Sequence, residues 1–199
     1  MTSGGTKFTV LQRLLHWLMA ACILAMLFIG VGMVSTTMPK YVALLATHKT
    51  LGITILVLAL IRLGVRARYG APLLPADMPA PMKVAAHLSH YALYALMIGM
   101  PLIGWAMLSA GAYPVVLYGN LRLPAILPQS DSLHTLLWNA HFYLAFAFFA
   151  VVLLHLAAAL FHGLVRRDGV FESMAGGPLP GEAAPAHGSA GYRPSAGAE

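Results

Sequence analysis

Four histidines lie within or at the ends of long apolar segments, where ionisable side chains are rare. They are His16, His48, His141 and His155, four of the nine histidines in the chain. An ionisable group inside a membrane is costly and therefore tends to face the interior of a helix bundle or a functional cavity. A neutral imidazole nitrogen is a common ligand of metal ions. Each histidine alone is better explained by a hydrogen bond to a neighbouring helix or to interfacial water, but the set of four favours metal coordination.

The spacing of these histidines divides them between two depths. His155 follows His141 by 14 residues, which on a helix is a rise of about 21 Å with both side chains on nearly the same face. Because consecutive spans run in opposite directions, His48 lies at the level of His141 and His16 at the level of His155. Two facing imidazoles can bind one haem iron from both sides. The pattern predicts two b-type haems, with a non-haem metal site as the alternative.

Arg62 follows His48 by 14 residues and therefore lies on the same face of its helix, at the level of His16 and His155. This level is called the inner level below, and the level of His48 and His141 the outer level. Its guanidinium could bind a haem propionate through charge-assisted hydrogen bonds. It could equally be an anchor whose long side chain reaches the membrane surface. The same two interpretations apply to Arg13 at the inner level and to Lys49 at the outer level.

Four further histidines lie nearer to the membrane surfaces. His162 follows His155 by seven residues on nearly the same helix face, where it could serve quinone binding or proton transfer. His87 and His90, at the inner end of the third span, could contribute to that surface or satisfy the end of a helix. His134, at the outer end of the fourth span, is expected to be solvated.

These side chains have to be positioned by membrane-spanning helices. Of the 199 residues, 59% are hydrophobic and 9% are charged, whereas soluble domains contain about 25% charged residues. A spanning helix needs about 20 largely apolar residues. The sequence predicts an all-α, integral membrane four-helix bundle, with two haems stacked across the bilayer, in residues 1–174. Its spans cover about 14–34, 44–65, 87–108 and 133–165.

The remaining segments are connections and a tail. The loop 110–132 is long for a bundle and is expected to cap its outer end, and residues 175–199 are rich in Gly, Pro, Ala and Ser, which predicts a disordered tail. Cys22 is the only cysteine. A CxxCH attachment site is therefore excluded, and any haem must be held noncovalently.

The distribution of basic residues predicts the orientation in the bacterial inner membrane. Three basic residues belong to the outer connections: Lys40, Lys49 and Arg122. Eight belong to the side of both termini: Lys7, Arg13, Arg62, Arg66, Arg68, Lys83, Arg166 and Arg167. The positive-inside rule then places both termini in the cytoplasm. These cations flank apolar segments and form no nucleic-acid-reading motif, so no nucleic-acid partner is expected.

At these residues the chain resembles the bacterial cytochrome b561 family over most of residues 7–174. The likeness consists of ordered segments: LLHW, HKTLG, HLSHYALY, PLIGWAM, GAYPV, NAHFYL, LLHLAAALFH and RRDGVFESM. The resemblance implies that His16, His48, His141 and His155 are the axial ligands of two haems b. It also implies quinone-linked electron transfer, with a quinone site near His162 on the cytoplasmic side. Some relatives oxidise superoxide and reduce ubiquinone.

Three functional hypotheses follow. The leading one is a dihaem cytochrome that transfers electrons between a periplasmic-side partner and the quinone pool, with superoxide oxidation as one form of that activity. The second is a cytochrome b anchor subunit of a dehydrogenase or hydrogenase. The third is a transporter in which the buried histidines bind protons or metal ions.

Overall fold

Four long helices dominate the computed structural model, which describes residues 7–177. They are α1 (Val10–Val34), α2 (Lys40–Tyr69), α3 (Ala80–Ala110) and α4 (Asp131–Leu160). Each is long and apolar enough to cross a membrane. The prediction of an all-α, membrane-spanning four-helix bundle is confirmed.

The helices extend beyond the apolar spans because capping side chains determine where they begin. At α1, Thr9 and Gln12 form a capping box in which each side chain binds the other's backbone N–H. Pro79 precedes α3, and the hydroxyl of Ser130 accepts from Leu133 N at the start of α4. Hydropathy therefore marks the apolar part of each helix, whereas side-chain caps extend α1 and α4 beyond it and prolines precede α2 and α3.

The core of the bundle lies midway along the four helices. The buried side chains that form it are Met19, Ile23, Ile55, Ala59, Met97, Met100 and Phe148. Each helix contributes at least one of them, and many large apolar side chains on the other faces are exposed, as expected for contact with lipid. Helix α4 packs closely along α3, and α1 along α2, whereas α4 makes at most isolated close backbone approaches to α1 and α2.

The outer connection contains a small β-hairpin that the sequence did not predict. Its strands, β1 (Val115–Leu117) and β2 (Leu121–Leu123), are antiparallel. The Lys49 ammonium donates to Pro114 O at 3.5 Å, and the Trp105 indole donates to Pro124 O at 2.9 Å. The loop 110–132 therefore covers the outer end of the bundle as an ordered cap.

At the inner end the chain turns back on itself. Helix α4 continues as a π-helical segment (Phe161–Arg166), and a short helix α5 (Val170–Ala175) follows. Arg167, with φ 51°, and Gly169, with φ 81°, reverse the chain between them. The Trp17 indole donates to Met174 O at 3.4 Å, so α5 is fastened to α1. Except for its first three residues, the predicted tail 175–199 lies outside the described residues.

Candidate functional site

The outer end of the bundle brings His48 of α2 beside His141 of α4. Their ring centroids are 6.1 Å apart, with an angle of 65° between the ring planes. A metal ion held between two imidazoles, at about 2 Å from each nitrogen, requires ring centres about 6 Å apart. The Nδ1 atom of His48 is buried and makes no hydrogen bond within residues 7–177. The Nδ1 atom of His141 is buried as well, and this ring lies close to the backbone of Met100. Because buried polar atoms are nearly always bonded, the pair has the separation and the free capacity of a ligand site.

The inner end brings three imidazoles together. His16 of α1 lies beside His155 of α4, with centroids 6.2 Å apart and ring planes at 67°. The ring of His90 on α3 also approaches His155, at 5.6 Å. The Nδ1 atom of His16 is buried and has no hydrogen-bond partner among the described residues. The inner level therefore contains the predicted pair and one histidine more than the outer level.

The surroundings of both pairs fit a flat cofactor held from two sides. Helix α4 carries one histidine of each pair, while the partner histidines lie on α1 and α2, the helices to which α4 is not closely packed. Gly104 of α3 faces the outer pair, and a Cβ there would lie 3.3 Å from His141 Cε1. Gly52 of α2 lies one turn after His48, and a Cβ there would make only an ordinary contact with Met26 at 3.7 Å. The close fit at Gly104 therefore has no counterpart at Gly52.

A bare metal site fits less well. Within the part of the chain that is described, no group of three or more His, Cys, Asp or Glu side chains is arranged to hold a metal ion. The donor set consists of imidazoles that face each other in pairs, as axial haem ligands do. The arrangement therefore favours iron porphyrin over an isolated metal ion.

Arg62 lies at the inner level, as its spacing from His48 predicts. It is half-buried, and its guanidinium Cζ lies 5.7 Å from the ring centroid of Tyr94. Lys49, for which the same two roles were open, instead donates to the backbone of the outer cap.

His162 is buried, with 7% of its surface exposed, inside the π-helical segment. Its Nδ1 lies 2.7 Å from Oδ2 of Asp168, and a carboxylate can only accept, so the ring donates from Nδ1. The same Asp168 oxygen accepts from Arg166 Nε at 2.8 Å. Arg166 also donates to Asp77 at 3.2 Å. Asp168, itself held by Arg166, thereby fixes one orientation of the His162 ring.

The pKa of Asp168 reflects this arrangement. Burial alone raises the pKa of the carboxyl, but hydrogen bonds from Arg166, His162 and the backbone N–H of Val170 outweigh burial and hold the pKa below its ordinary value of 3.8. Asp168 is therefore an anion at neutral pH. Sequence reasoning missed it, because only the turn at Arg167 brings it back to His162.

His134 and His87 lie outside the two histidine pairs and differ in how far they are exposed. His134 is half-buried and its Nδ1 lies 2.9 Å from Met107 O, so the expectation of a solvated side chain was wrong. The reason is the cap, whose Tyr113 ring lies 5.6 Å from the His134 ring. His87 is exposed on α3.

Comparison with known proteins gives one family. The model of the family described as prokaryotic cytochrome b561 matches residues 7–177. Cytochrome b561 homolog 2 of Escherichia coli (strain K12) is 26% identical over 178 residues, which cover 88% of this chain and 94% of that protein. Cytochrome b561 homolog 1 of the same organism is 28% identical over 170 residues, covering 81% and 93%. A protein named probable superoxide oxidase CybB, of Yersinia pestis, is 32% identical over 165 residues, covering 81% and 92%.

Proposed function

This chain belongs to the prokaryotic cytochrome b561 family, and from that premise we propose that it is a dihaem cytochrome. In this proposal it transfers electrons across the inner membrane, between a redox partner on the periplasmic side and the quinone pool. Family membership itself establishes a b-type haem protein of membrane electron transfer. The observation that carries the finer proposal is the pairing of histidines at two levels, with centroids 6.1 and 6.2 Å apart.

The four histidines divide between two cofactors. His48 and His141 would hold the outer haem, and His16 and His155 the inner one. When bound, the haem irons supply one-electron chemistry, cycling between the ferric and ferrous states. The histidine rings come from separate helices, so each haem would also fasten two helices together.

The middle of the bundle separates the two levels. Its buried side chains are apolar: they include Met19, Ile55, Met97 and Phe148. A dry apolar layer strongly disfavours ions and buried charge. This apolar layer would therefore block protons and ions from crossing the membrane, while electrons pass between the two haems.

We assign the quinone to the inner end, beside His162. Asp168 accepts from Nδ1, which leaves Nε2 as the atom that can bond a quinone carbonyl. Nε2 makes no hydrogen bond to any described residue. In its doubly protonated form the ring would donate Nδ1–H to Asp168 and Nε2–H to the quinone carbonyl, and the Nε2 proton would pass to the quinone on reduction.

The finer proposal for the outer donor is superoxide. It is supported by the relative named probable superoxide oxidase, which is 32% identical to this chain. The balanced reaction converts two superoxide ions, one quinone and two protons into two molecules of dioxygen and one quinol. Lys49 and the exposed Arg122 give the outer end the positive charge that favours approach of a small anion.

Spectroscopy of the purified protein tests the proposal. Reduced-minus-oxidised spectra with pyridine-haem quantification should give two haems b per chain, and His48→Ala, His141→Ala, His16→Ala and His155→Ala should each lose one or both. His134→Ala is the matched control and should retain two. A colourless protein, or two normal haems after His141→Ala or His155→Ala, would contradict the assignment.

Reaction kinetics separate the hypotheses about partners. Superoxide should reduce the protein rapidly, and added quinone should reoxidise it. If neither reaction occurs and a soluble redox subunit copurifies stably, the chain is instead an anchor subunit of a larger dehydrogenase or hydrogenase.

A further inference from the structure

We propose that Arg62, Arg66 and Tyr94 form a carboxylate clamp, which binds the propionates of the inner haem and raises its midpoint potential above that of the outer haem. The inference rests on the proposed function, because it requires a haem at the inner pair. It adds a binding site for the cofactor's two carboxylates and gives electron transfer through the bundle a direction.

The three side chains of the carboxylate clamp border one small cavity at the inner end of the bundle. The lining residues are Phe8, Gln12, Arg62, Arg66, Tyr94 and Met174. Arg62 and Arg66 are four residues apart on α2 and therefore lie one turn apart on the same face. The Arg62 guanidinium lies over the Tyr94 ring, with Cζ 5.7 Å from the centroid. Two guanidinium groups and a phenol thus converge on a single space.

The two arginines lack a negative partner within residues 7–177. Both are half-buried, yet neither forms an ion pair there. Among the described carboxylates of the inner end, Asp77 and Asp168 are bonded to Arg166, and Glu172 forms no ion pair with Arg62 or Arg66. Charges held in a membrane-spanning bundle are normally paired. The cavity therefore calls for an anion with more than one acceptor oxygen.

The phenol of Tyr94 supports the same conclusion independently. Its oxygen is buried beside the Arg62 guanidinium, and no other described residue offers it a hydrogen bond. A phenol oxygen can accept from a guanidinium while its O–H donates to an anion. Gln12 does not meet the need, because its amide already donates to Gly70 O and its carbonyl accepts from Thr9. A carboxylate can accept from Tyr94 and from an arginine fork at the same time.

The position of the clamp selects the inner haem as the source of the carboxylates. Tyr94 follows His90 by one helical turn, and the His90 ring lies 5.6 Å from that of His155. Arg62 lies on the His48 stripe, about 21 Å along the helix from it, and thus at the level of His16 and His155. A lipid phosphate would share the same chemistry, but it would belong at the bilayer surface and not beside the inner histidines.

The carboxylate clamp affects the direction of electron transfer between the two haems. Positive charge near an iron favours the reduced form, because reduction removes one positive charge from the metal centre. Among residues 7–177 the outer pair has no equivalent, since Lys49 donates to the backbone of the cap and Arg122 is exposed. The inner haem should therefore have the higher midpoint potential, and electrons should move from the outer level to the inner one.

Matched substitutions test the carboxylate clamp in the haem-loaded protein. Arg62→Gln and Arg66→Gln should each speed transfer of the inner haem to apomyoglobin about tenfold or more and lower its midpoint in an optical redox titration. Tyr94→Phe should lower the same midpoint by less. Arg62→Lys, which keeps the charge but loses the fork, should speed haem loss while largely preserving the potential. Arg68→Gln, an exposed change on the same helix, should alter neither quantity.

The outcomes separate this inference from the proposed function. His155→Ala identifies which spectral component belongs to the inner haem, and a chain without two haems would refute the proposed function itself. If two haems are present and the arginine variants leave haem loss and both midpoints unchanged, the carboxylate clamp is refuted alone. A loss of bound phospholipid phosphate in Arg62→Gln, with unchanged haem behaviour, would also refute it and identify a lipid headgroup as the ligand.

Discussion

Gly104 shows how closely the surroundings of a single histidine ring are fitted. A Cβ at this position would lie 3.3 Å from His141 Cε1, tighter than ordinary contact, so the ring would have to move by a few tenths of an ångström. We expect Gly104→Ala to shift the spectrum of the outer haem and to release that haem several-fold faster, because axial ligation depends on ring position. Pyridine-haem assays and spectra during dilution into apomyoglobin measure both effects.

Gly99→Ala provides the control for this change. It lies on the same helix, and a Cβ there meets nothing within 4 Å. If both glycine variants behave alike, the effect belongs to α3 as a helix and not to the His141 ring.

Asp168 carries the second prediction at this scale. Asp168→Asn removes the negative charge that pairs with the doubly protonated His162 ring, so we expect the KM for a soluble quinone analogue to rise about tenfold, the value of one charge-assisted hydrogen bond. Steady-state quinone reduction, followed between pH 6 and pH 8, measures it. Asp77→Asn is the control, because Asp77 is 76% exposed and touches the network only through Arg166. Equal KM values in both variants and the unchanged protein would contradict the role of Asp168.

Residue spacing was sufficient to predict the histidine pairs but not their neighbours. His141 and His155 share a helix face because 14 residues is close to a whole number of turns, and topology then supplies the partners. The approach of His90 to His155 depends on the rotation of α3 about its axis, which no local pattern specifies. Asp168 reaches His162 only because the backbone of Arg167 adopts a left-handed conformation. This conformation is uncommon for residues other than glycine, so the sequence does not predict it.

At the scale of elements, the turn into α5 should be sensitive to acid. The carboxyl of Asp168 has 7% of its surface exposed, and its pKa lies below the ordinary value of 3.8. A depressed pKa stabilises the folded segment above the unfolded pKa, and that stabilisation is lost as the pH falls through the folded pKa. We expect residues 161–176 to lose local protection against exchange as the pH falls below 3.8.

Hydrogen–deuterium exchange, corrected for intrinsic rates, measures this loss between pH 5 and pH 3. In Asp168→Asn the same segment should already be less protected at pH 7 and should show no further step on acidification. An acid step of equal size in the variant would assign the effect to another group.

The elements differ in how well the sequence predicts them. Long apolar runs specify the four helices, because only a helix satisfies the backbone inside lipid. The hairpin at Val115–Leu117 and Leu121–Leu123 has strands too short for an alternating pattern, and its position depends on contacts with α2 and α3. The π-helical segment likewise follows from the packing of α5 against Gly163, where a Cβ would lie 3.1 Å from the Phe171 ring.

At the scale of the whole molecule, charge is distributed unequally between the two ends. The inner end contains the arginines of α2 and the π-helical segment, and the outer end contains Lys49 and Arg122. This asymmetry in charge has two effects. By the positive-inside rule it predicts that both termini are cytoplasmic, and under our proposals it makes the inner level the more favourable place for an electron.

The last prediction concerns that orientation, on which the assignment of the quinone site to the cytoplasmic side depends. In a Cys22→Ala background, which has no other cysteine, Gln129→Cys reports on the outer cap and Leu73→Cys on the connection between α2 and α3. Gln129 is exposed, and Leu73 is 89% exposed. An impermeant maleimide should label Gln129→Cys in right-side-out vesicles, and Leu73→Cys only after the membrane is permeabilised. The reverse result would place both termini and His162 in the periplasm, and the electron donor and the quinone would then have to exchange sides.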